Sequence, residues 1–112
     1  MNENVYLDWQ AKFIHTTAKD KGFWDGEIDI NFLLAKLALV HSEVSETLEA
    51  LRKRKGSDEV AEEIADVLIR LLDFYAGAQE AGWIDDRLLL TKVVQDKMDK
   101  NASRPRLHNN LI

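Results

Sequence analysis

The sequence of 112 residues contains no cysteine, one proline and five glycines. Without cysteine the chain has no disulfide, thiolate nucleophile or thiolate metal ligand, which fits a cytoplasmic setting. The one proline, Pro105, lies near the C-terminus, so long segments are free of helix-breaking residues. No apolar run approaches the roughly 20 residues that span a bilayer, and the N-terminus lacks the basic and apolar regions of a signal peptide. We therefore expect a cytoplasmic protein with no membrane partner.

The charge and length limit the partners and the number of domains. The formal net charge of −5 disfavours a nucleic-acid partner, because nonspecific binding to nucleic acid usually needs a basic face. The 46% hydrophobic and 31% charged composition is that of an ordinary globular chain. The length predicts a single domain over residues 1–112. So small a domain buries a limited part of its surface, which makes association with further copies plausible.

Apolar residues recur at three- and four-residue spacing, and no segment alternates as a strand would. Four helices are predicted, over about residues 3–19, 30–55, 58–81 and 85–100. The second helix carries one apolar stripe at helical spacing, formed by Leu33, Leu37, Val40, Val44, Leu48 and Leu51. On the third helix the residues predicted to face inward are Val60, Ile64, Val67, Leu71 and Tyr75.

Capping residues mark the central helices. Asp29 is a candidate N-cap of the second helix, and Gly56 is suited to the left-handed position that ends it. Ser57 is then a candidate N-cap of the third helix. Because this connection is short, the second and third helices should be antiparallel. We predict an all-α, four-helix bundle-like fold around this central pair.

Two acidic pairs flank the connection: Glu43 with Glu46, and Glu63 with Asp66. Residues three apart lie about 60° apart around a helix, so each pair shares a face. Glu46 and Asp66 each lie ten residues from Gly56, which brings the pairs to one height. Both pairs border apolar stripes, and four half-buried carboxylates cannot all stay ionised without a compensating cation. Oxygen-only ligands favour Mg²⁺ or Mn²⁺.

The acidic pairs also allow interpretations other than a metal site. Such pairs are frequent on solvated helix faces, and that interpretation is preferred for the nearby Glu49, Glu59 and Glu62. For two pairs level across one hairpin, a metal site is preferred. A di-iron carboxylate bundle would need Glu-x-x-His on two helices, and none of the three histidines follows a glutamate by three positions. His15 is interpreted as a surface or interface residue.

Lys36 lies seven residues before Glu43, nearly two helical turns, so both point to one side of the helix. Its amine could meet a phosphate, and an exposed lysine is the alternative with equal weight. Trp9, Phe23 and Trp24 are candidates for stacking on a nucleobase. Such rings serve more often as core or interface anchors, which remains the alternative for each of them.

The segments KLALVHSEVSETLEALR and EEIADVLIRLLDFYAG resemble the MazG-like branch of the all-α nucleoside triphosphate pyrophosphohydrolases. That family carries E-E-x-x-E, a spacer and E-x-x-D. This sequence has Glu43-x-x-Glu46, sixteen residues, and Glu63-x-x-Asp66. Ser42 stands where the family has its first acid.

The resemblance extends over nearly the whole chain, from about Trp9 to His108. The segment KGFWD before the second helix and the tail KMDKNASRPRLH both look like the family's. In the tail, Lys97, Asn101 and Arg104 follow each other at four and three residues, which gives one polar strip. An ordinary helix end would carry such cations too.

The resemblance implies a Mg²⁺-dependent enzyme that hydrolyses a nucleoside or deoxynucleoside triphosphate to the monophosphate and pyrophosphate, as nucleotide-pool house-cleaning. It also implies a homo-oligomer, dimer or tetramer, with Mn²⁺ as a substitute cation. The metal ligands would be Glu43, Glu46, Glu63 and Asp66, with Glu46 the first choice for orienting the attacking water. The substrate-binding residues would be Lys36, Trp24, Lys97, Asn101 and Arg104. The alternative hypothesis is a noncatalytic helical-bundle module whose apolar stripes serve only dimerisation.

Overall fold

The computed structural model describes residues 5–106 and contains only helices and turns over that range. The helices are α1 (Tyr6–Asp20), α2 (Ile30–Arg52), α3 (Ser57–Glu80) and α4 (Leu90–Ala102). The all-α prediction is confirmed. His108, which completed the predicted tail, lies outside the described residues. None of the helices in the described range is both long and apolar enough to cross a membrane.

The start of α2 is as predicted, and its end is not. The Asp29 carboxylate accepts a hydrogen bond from the Phe32 N–H at 2.9 Å and caps the helix. The left-handed residue after α2 is Arg54, with φ 52°, because the Lys55 N–H donates back to the Ala50 carbonyl at 3.0 Å. Gly56, with φ 101° and ψ 160°, is instead the N-cap position of α3. The predictions for both residues are therefore wrong. Gly56 is the N-cap position of α3 and not the residue that ends α2, and Ser57 is the first residue of α3 and not its N-cap.

α3 is the central helix, because both α1 and α2 pack along it, while α4 packs mainly against α1. The first turn of α4 is capped from another helix. Asp8 of α1 accepts hydrogen bonds from the Leu90 N–H, from the Thr91 N–H at 3.0 Å and from the Thr91 hydroxyl at 2.8 Å. This carboxylate satisfies N–H groups that have no partner inside α4.

The predicted fourth helix begins five residues too early. The Asp85 carboxylate accepts from the Arg87 N–H at 2.8 Å, which makes a local turn in place of a helical one. The Leu88 carbonyl then accepts from the Tyr75 hydroxyl at 2.7 Å and from the Gln79 side chain at 3.1 Å. Side chains of α3 therefore hold residues 85–88 outside α4.

The core is small and lies where α1, α2 and α3 meet the loop before α2. Its buried centre is Trp24, Leu33 and Ala78. In the apolar stripe of α2, Leu33 is buried, whereas Leu48 and Leu51 are more than half exposed. Ile64 of α3, which was predicted to face inward, is also more than half exposed. The radius of gyration is 16.0 Å, against roughly 13 Å for a compact domain of this size. A single chain therefore leaves wide apolar faces of α2 and α3 uncovered.

Candidate metal centre

Three carboxylates from the two antiparallel helices converge on one point. Glu43 of α2 and Glu63 and Asp66 of α3 each offer one oxygen, and these oxygens all lie within 4.8 Å of one another. Two oxygen ligands of one Ca²⁺ can lie up to about 5.2 Å apart, and two ligands of one Mg²⁺ up to about 4.2 Å. One cation could therefore contact all three, for Mg²⁺ once the carboxylates approach each other by at most about 0.6 Å. The donor set contains neither nitrogen nor sulfur, which favours a hard divalent cation.

The environment of the Glu63 carboxylate favours a bound cation. Its Oε2 atom is buried and has no hydrogen-bond partner within residues 5–106. Burial raises the pKa of Glu63 above its ordinary value. The charge of Glu46 and a side-chain hydrogen bond with Glu46 raise this pKa further, followed by the charges of Asp66 and Glu43. A buried carboxylate oxygen without a donor is costly, and so is repulsion among carboxylates. A divalent cation would remove both penalties, so the residues present fit Mg²⁺.

The register of the two helices differs from the expected one. Glu46 lies opposite Glu63, whose pKa it raises, and Glu43 lies opposite Asp66. The expectation that Glu46 is level with Asp66 is therefore wrong. The cause is the turn: α2 ends at Arg52 and α3 begins at Ser57, so the hairpin is centred before Gly56. Glu46 is thus level with Glu63, and it lies beside the three converging acids rather than among them.

A groove of about 410 Å³ opens next to the acids, between α1 and α3. Glu43 and Asp66 form its acidic end, and Phe13, Phe23 and Ile69 are among its apolar walls. A volume of this size accommodates a small-molecule ligand. The arrangement therefore joins a cation site to a groove with aromatic walls.

Residues 33–108 match the family model of the MazG nucleotide pyrophosphohydrolase domain. The chain belongs to the MazG family. Neither a curated protein nor a solved structure gives a match. Membership in the family supports nucleotide pyrophosphohydrolase activity in general. The matched range contains the MazG acids, Glu43 to Asp66, whereas α1, which forms one wall of the groove, precedes it.

Asp73 lines the MazG groove at the end away from the acids and accepts hydrogen bonds from neighbouring buried side chains. The Trp24 indole N–H donates to both carboxylate oxygens of Asp73 at 3.0 Å, and His15 Nδ1 lies 2.8 Å from Oδ1. The exposed fractions are only 4% for His15 and 8% for Trp24. The interpretation of His15 as a surface or interface residue is therefore wrong. Trp24 presents little open face in this chain, and its contact with a base stays a prediction.

Lys36 lies close to this network. Its ammonium nitrogen is 4.8 Å from the Trp24 ring centroid and 5.4 Å from that of Phe32, within the range of cation–π attraction. Burial lowers the pKa of Lys36; the charge of Asp73 opposes this, and the charge of Arg70 adds to it. Lys36 is therefore a neighbour of both the groove and its charged residues, and its contact with phosphate stays a prediction.

The predicted polar strip of the tail is not brought to the acids within one chain. Lys97 and Asn101 lie in α4, and Arg104 follows its end, with its N–H donating to the Asn101 carbonyl at 3.1 Å. None of the three lines the groove, because α4 packs mainly against α1. Within one chain these residues do not reach the groove, and their contact with substrate stays a prediction.

Two charged residues of α3 that line the groove were absent from the sequence predictions. Arg70 and Asp73 follow Asp66 by four and seven residues on α3, so all three share one helical face. That spacing was the available signal. It could have indicated that the face carrying the second acidic pair continues as a charged surface for two further turns.

Proposed function

We propose that this MazG-family protein hydrolyses a nucleoside or deoxynucleoside triphosphate to the monophosphate and pyrophosphate, with Mg²⁺ or Mn²⁺ as cofactor. The observation that carries the proposal is the convergence of Glu43, Glu63 and Asp66 beside a groove that Glu43 and Asp66 line. Glu63 Oε2 is buried there and has no hydrogen-bond partner within residues 5–106. A bound divalent cation would neutralise phosphate oxygens and make water a better nucleophile. The role in nucleotide-pool house-cleaning and the cytoplasmic location belong to the same proposal, and the cysteine-free sequence supports the location.

The chain's own residues have separate proposed roles. Glu46 lies beside the three converging acids, where its carboxylate can take a proton from the attacking water. Lys36 supplies a positive charge near the groove for the phosphates, and the aromatic walls of the groove suit a base. Trp24 supports the groove through its hydrogen bonds to Asp73.

Self-association is part of the proposal. Leu48, Leu51, Ile64 and Leu68 of α2 and α3 are each more than half exposed, and together they leave apolar surface that a second copy would cover. The exposed faces equally favour the noncatalytic dimerisation module, so they do not separate the two hypotheses. In a homo-oligomer, Lys97, Asn101 and Arg104 would contact substrate bound to another copy.

The first test is the product of hydrolysis. Purified full-length protein with Mg²⁺ should release pyrophosphate and nucleoside monophosphate in equal amounts from at least one member of a complete panel of ribo- and deoxyribonucleoside triphosphates. Anion-exchange chromatography and a coupled pyrophosphate assay would identify the products, with chelated samples as controls. Release of orthophosphate and a diphosphate would contradict the proposal, and so would the absence of turnover across the panel.

The second test concerns Glu63 and separates the enzyme from the dimerisation module. The folded-state pKa of Glu63 is raised above 4.5, so without a divalent cation its contribution to stability is full below that value and is lost as pH rises through the folded pKa. We therefore expect Glu63→Gln to melt above wild type at neutral pH in chelator. In wild type, Mg²⁺ at a hundredfold excess over Kd should raise the free energy of unfolding by about 2.7 kcal/mol. This corresponds to a rise in Tm on the order of 10 °C.

Glu63→Gln should lose most of this response to Mg²⁺, whereas Glu62→Gln, which changes the preceding residue on the exposed face of α3, should keep it. Thermal melts of the three proteins, with and without Mg²⁺, at mildly acidic and neutral pH provide the comparison. Equal responses of wild type and Glu63→Gln would contradict the metal site. No response in any protein would favour the dimerisation module.

A further inference from the structure

We propose that Arg70 binds the phosphate chain of the substrate and that, before cation and substrate bind, it is the counter-ion of Glu43. This inference rests on the proposed function, because it adds a residue to the same site. Arg70 Nε donates to Glu43 Oε1 at 2.7 Å, across the gap between α3 and α2. The Glu43 side chain is 12% exposed and that of Arg70 is 45% exposed. The guanidinium therefore lies on the solvent side of a carboxylate that is itself one of the three converging acids.

The geometry leaves most of the guanidinium available. Within residues 5–106 the bond from Nε to Glu43 is the one hydrogen bond of the Arg70 side chain, so its terminal nitrogens keep their donors. The same side chain lines the groove between the acidic end and Asp73. A guanidinium with unused donors in a fixed plane is the side chain best suited to phosphate oxygens.

The charges around Arg70 favour an anion at this position. Arg70 lies near enough to Lys36 that its charge helps to lower the pKa of that lysine, after burial and against the opposing charge of Asp73. The ammonium nitrogen of Lys36 also lies 6.0 Å from the ring centroid of Phe23, which lines the groove together with Arg70, so both cations lie near that wall of the groove. A phosphate bound between them would relieve their mutual repulsion.

A cation and a phosphate would act on Arg70 together. In the metal-free protein Arg70 neutralises part of the acidic cluster. If Glu43 held a divalent cation, its charge would be shared with that cation and Arg70 would lose much of its counter-ion. A phosphate group of the substrate could then replace Glu43 as the partner of Arg70. An ion pair that served only to hold α2 against α3 would contribute little to stability at this exposure. A purely structural pair would also not need to lie between a cation site and a groove.

The proposal predicts effects of opposite sign in Arg70→Gln. Because a competing positive charge is lost, the variant should bind Mn²⁺ alone more tightly than wild type by roughly 2- to 10-fold, given a pair of this exposure. Because a charged donor to phosphate is lost, its affinity for pyrophosphate in the presence of Mg²⁺ should fall by about 10- to 100-fold. Electron paramagnetic resonance of free Mn²⁺ and calorimetry with Mg²⁺ and pyrophosphate would measure the two affinities.

Two further variants complete the experiment. Arg70→Lys keeps the charge and loses the planar fork, so its pyrophosphate affinity should fall between those of wild type and Arg70→Gln. Arg87→Gln removes an arginine that is 90% exposed and paired with Asp85, and it should bind both probes as wild type does.

Two results would overturn the proposal. Weaker Mn²⁺ binding in Arg70→Gln, with unchanged pyrophosphate affinity, would mean that Arg70 only positions Glu43. Failure of wild type to bind pyrophosphate would overturn it as well. The outcome is separable from that of the proposed function. Pyrophosphate binding that depends on Arg70, without turnover of any nucleotide, would support Arg70 and contradict the hydrolase; turnover with an unaffected Arg70→Gln would do the reverse.

Discussion

Asp66→Asn should lower kcat for pyrophosphate release by about 100-fold or more, the scale of losing one electrostatic group that acts on the transition state. Asp66 is one of the three acids whose oxygens lie within 4.8 Å of one another, and it is the exposed member of that set. The substitution keeps the shape of the side chain and removes its charge, so the fold should be unaffected. Initial rates at saturating nucleotide and increasing Mg²⁺ would show both the loss of kcat and a higher Mg²⁺ requirement.

Glu46→Gln should give a different pattern, because Glu46 lies beside the converging acids and is not one of the three. We expect kcat to fall while the Mg²⁺ concentration for half-maximal rate stays near that of wild type. Glu62→Gln serves as the control on α3 and should retain wild-type rates. Circular dichroism and size-exclusion chromatography would establish that every variant is folded and assembled as wild type is.

The outcomes separate two assignments. Full turnover in Asp66→Asn would remove the metal assignment of the cluster, whatever the result for Glu46. Full turnover in Glu46→Gln alone would remove only the role of Glu46 in orienting water. A higher Mg²⁺ requirement in Glu46→Gln would instead place that carboxylate among the ligands, as the family motif implies.

The helices and the acidic pairs could be predicted because their causes are local. Apolar spacing and a cap such as Asp29 act within one or two turns of a helix, and an E-x-x-D pair shares a face whatever surrounds it. The meeting of Glu43 with Asp66 then needed only a short connection and an antiparallel pair. Local patterns therefore predicted the acidic cluster, although they placed Glu46 level with Asp66 instead of Glu63.

The remaining features depend on contacts distant in sequence. The start of α4 is fixed by Asp8, which lies 82 residues before Leu90. Asp73 acquires its role from Trp24 and His15, which lie 49 and 58 residues before it. No pattern within a helix contains such information. The burial of the apolar stripes was mispredicted for another reason. Periodicity indicates which face of a helix is apolar, but it does not indicate whether this chain or a second copy covers that face.

Gly77→Ala should destabilise the protein by about 2 kcal/mol, within the range for an overpacked core, although alanine ordinarily favours a helix over glycine by about 1 kcal/mol. A Cβ atom on Gly77 would overlap the six-membered ring of Trp24. The indole cannot simply move away, because its N–H is bonded to Asp73 and its ring packs against His15 and Phe32. Urea denaturation of the variant and wild type would measure the loss.

The matched control is the same substitution in a Trp24→Phe background. A phenyl ring lacks the indole atoms that the new methyl group would meet, so Gly77→Ala should there be neutral or stabilising. The double-mutant cycle would then show a coupling between the two positions. An equal loss in both backgrounds would mean that contact with Trp24 is not the cause. Because Trp24 also holds Asp73 at the groove and lies under Lys36, Gly77→Ala should raise KM for nucleotide in protein that remains folded, which would connect the core to the site.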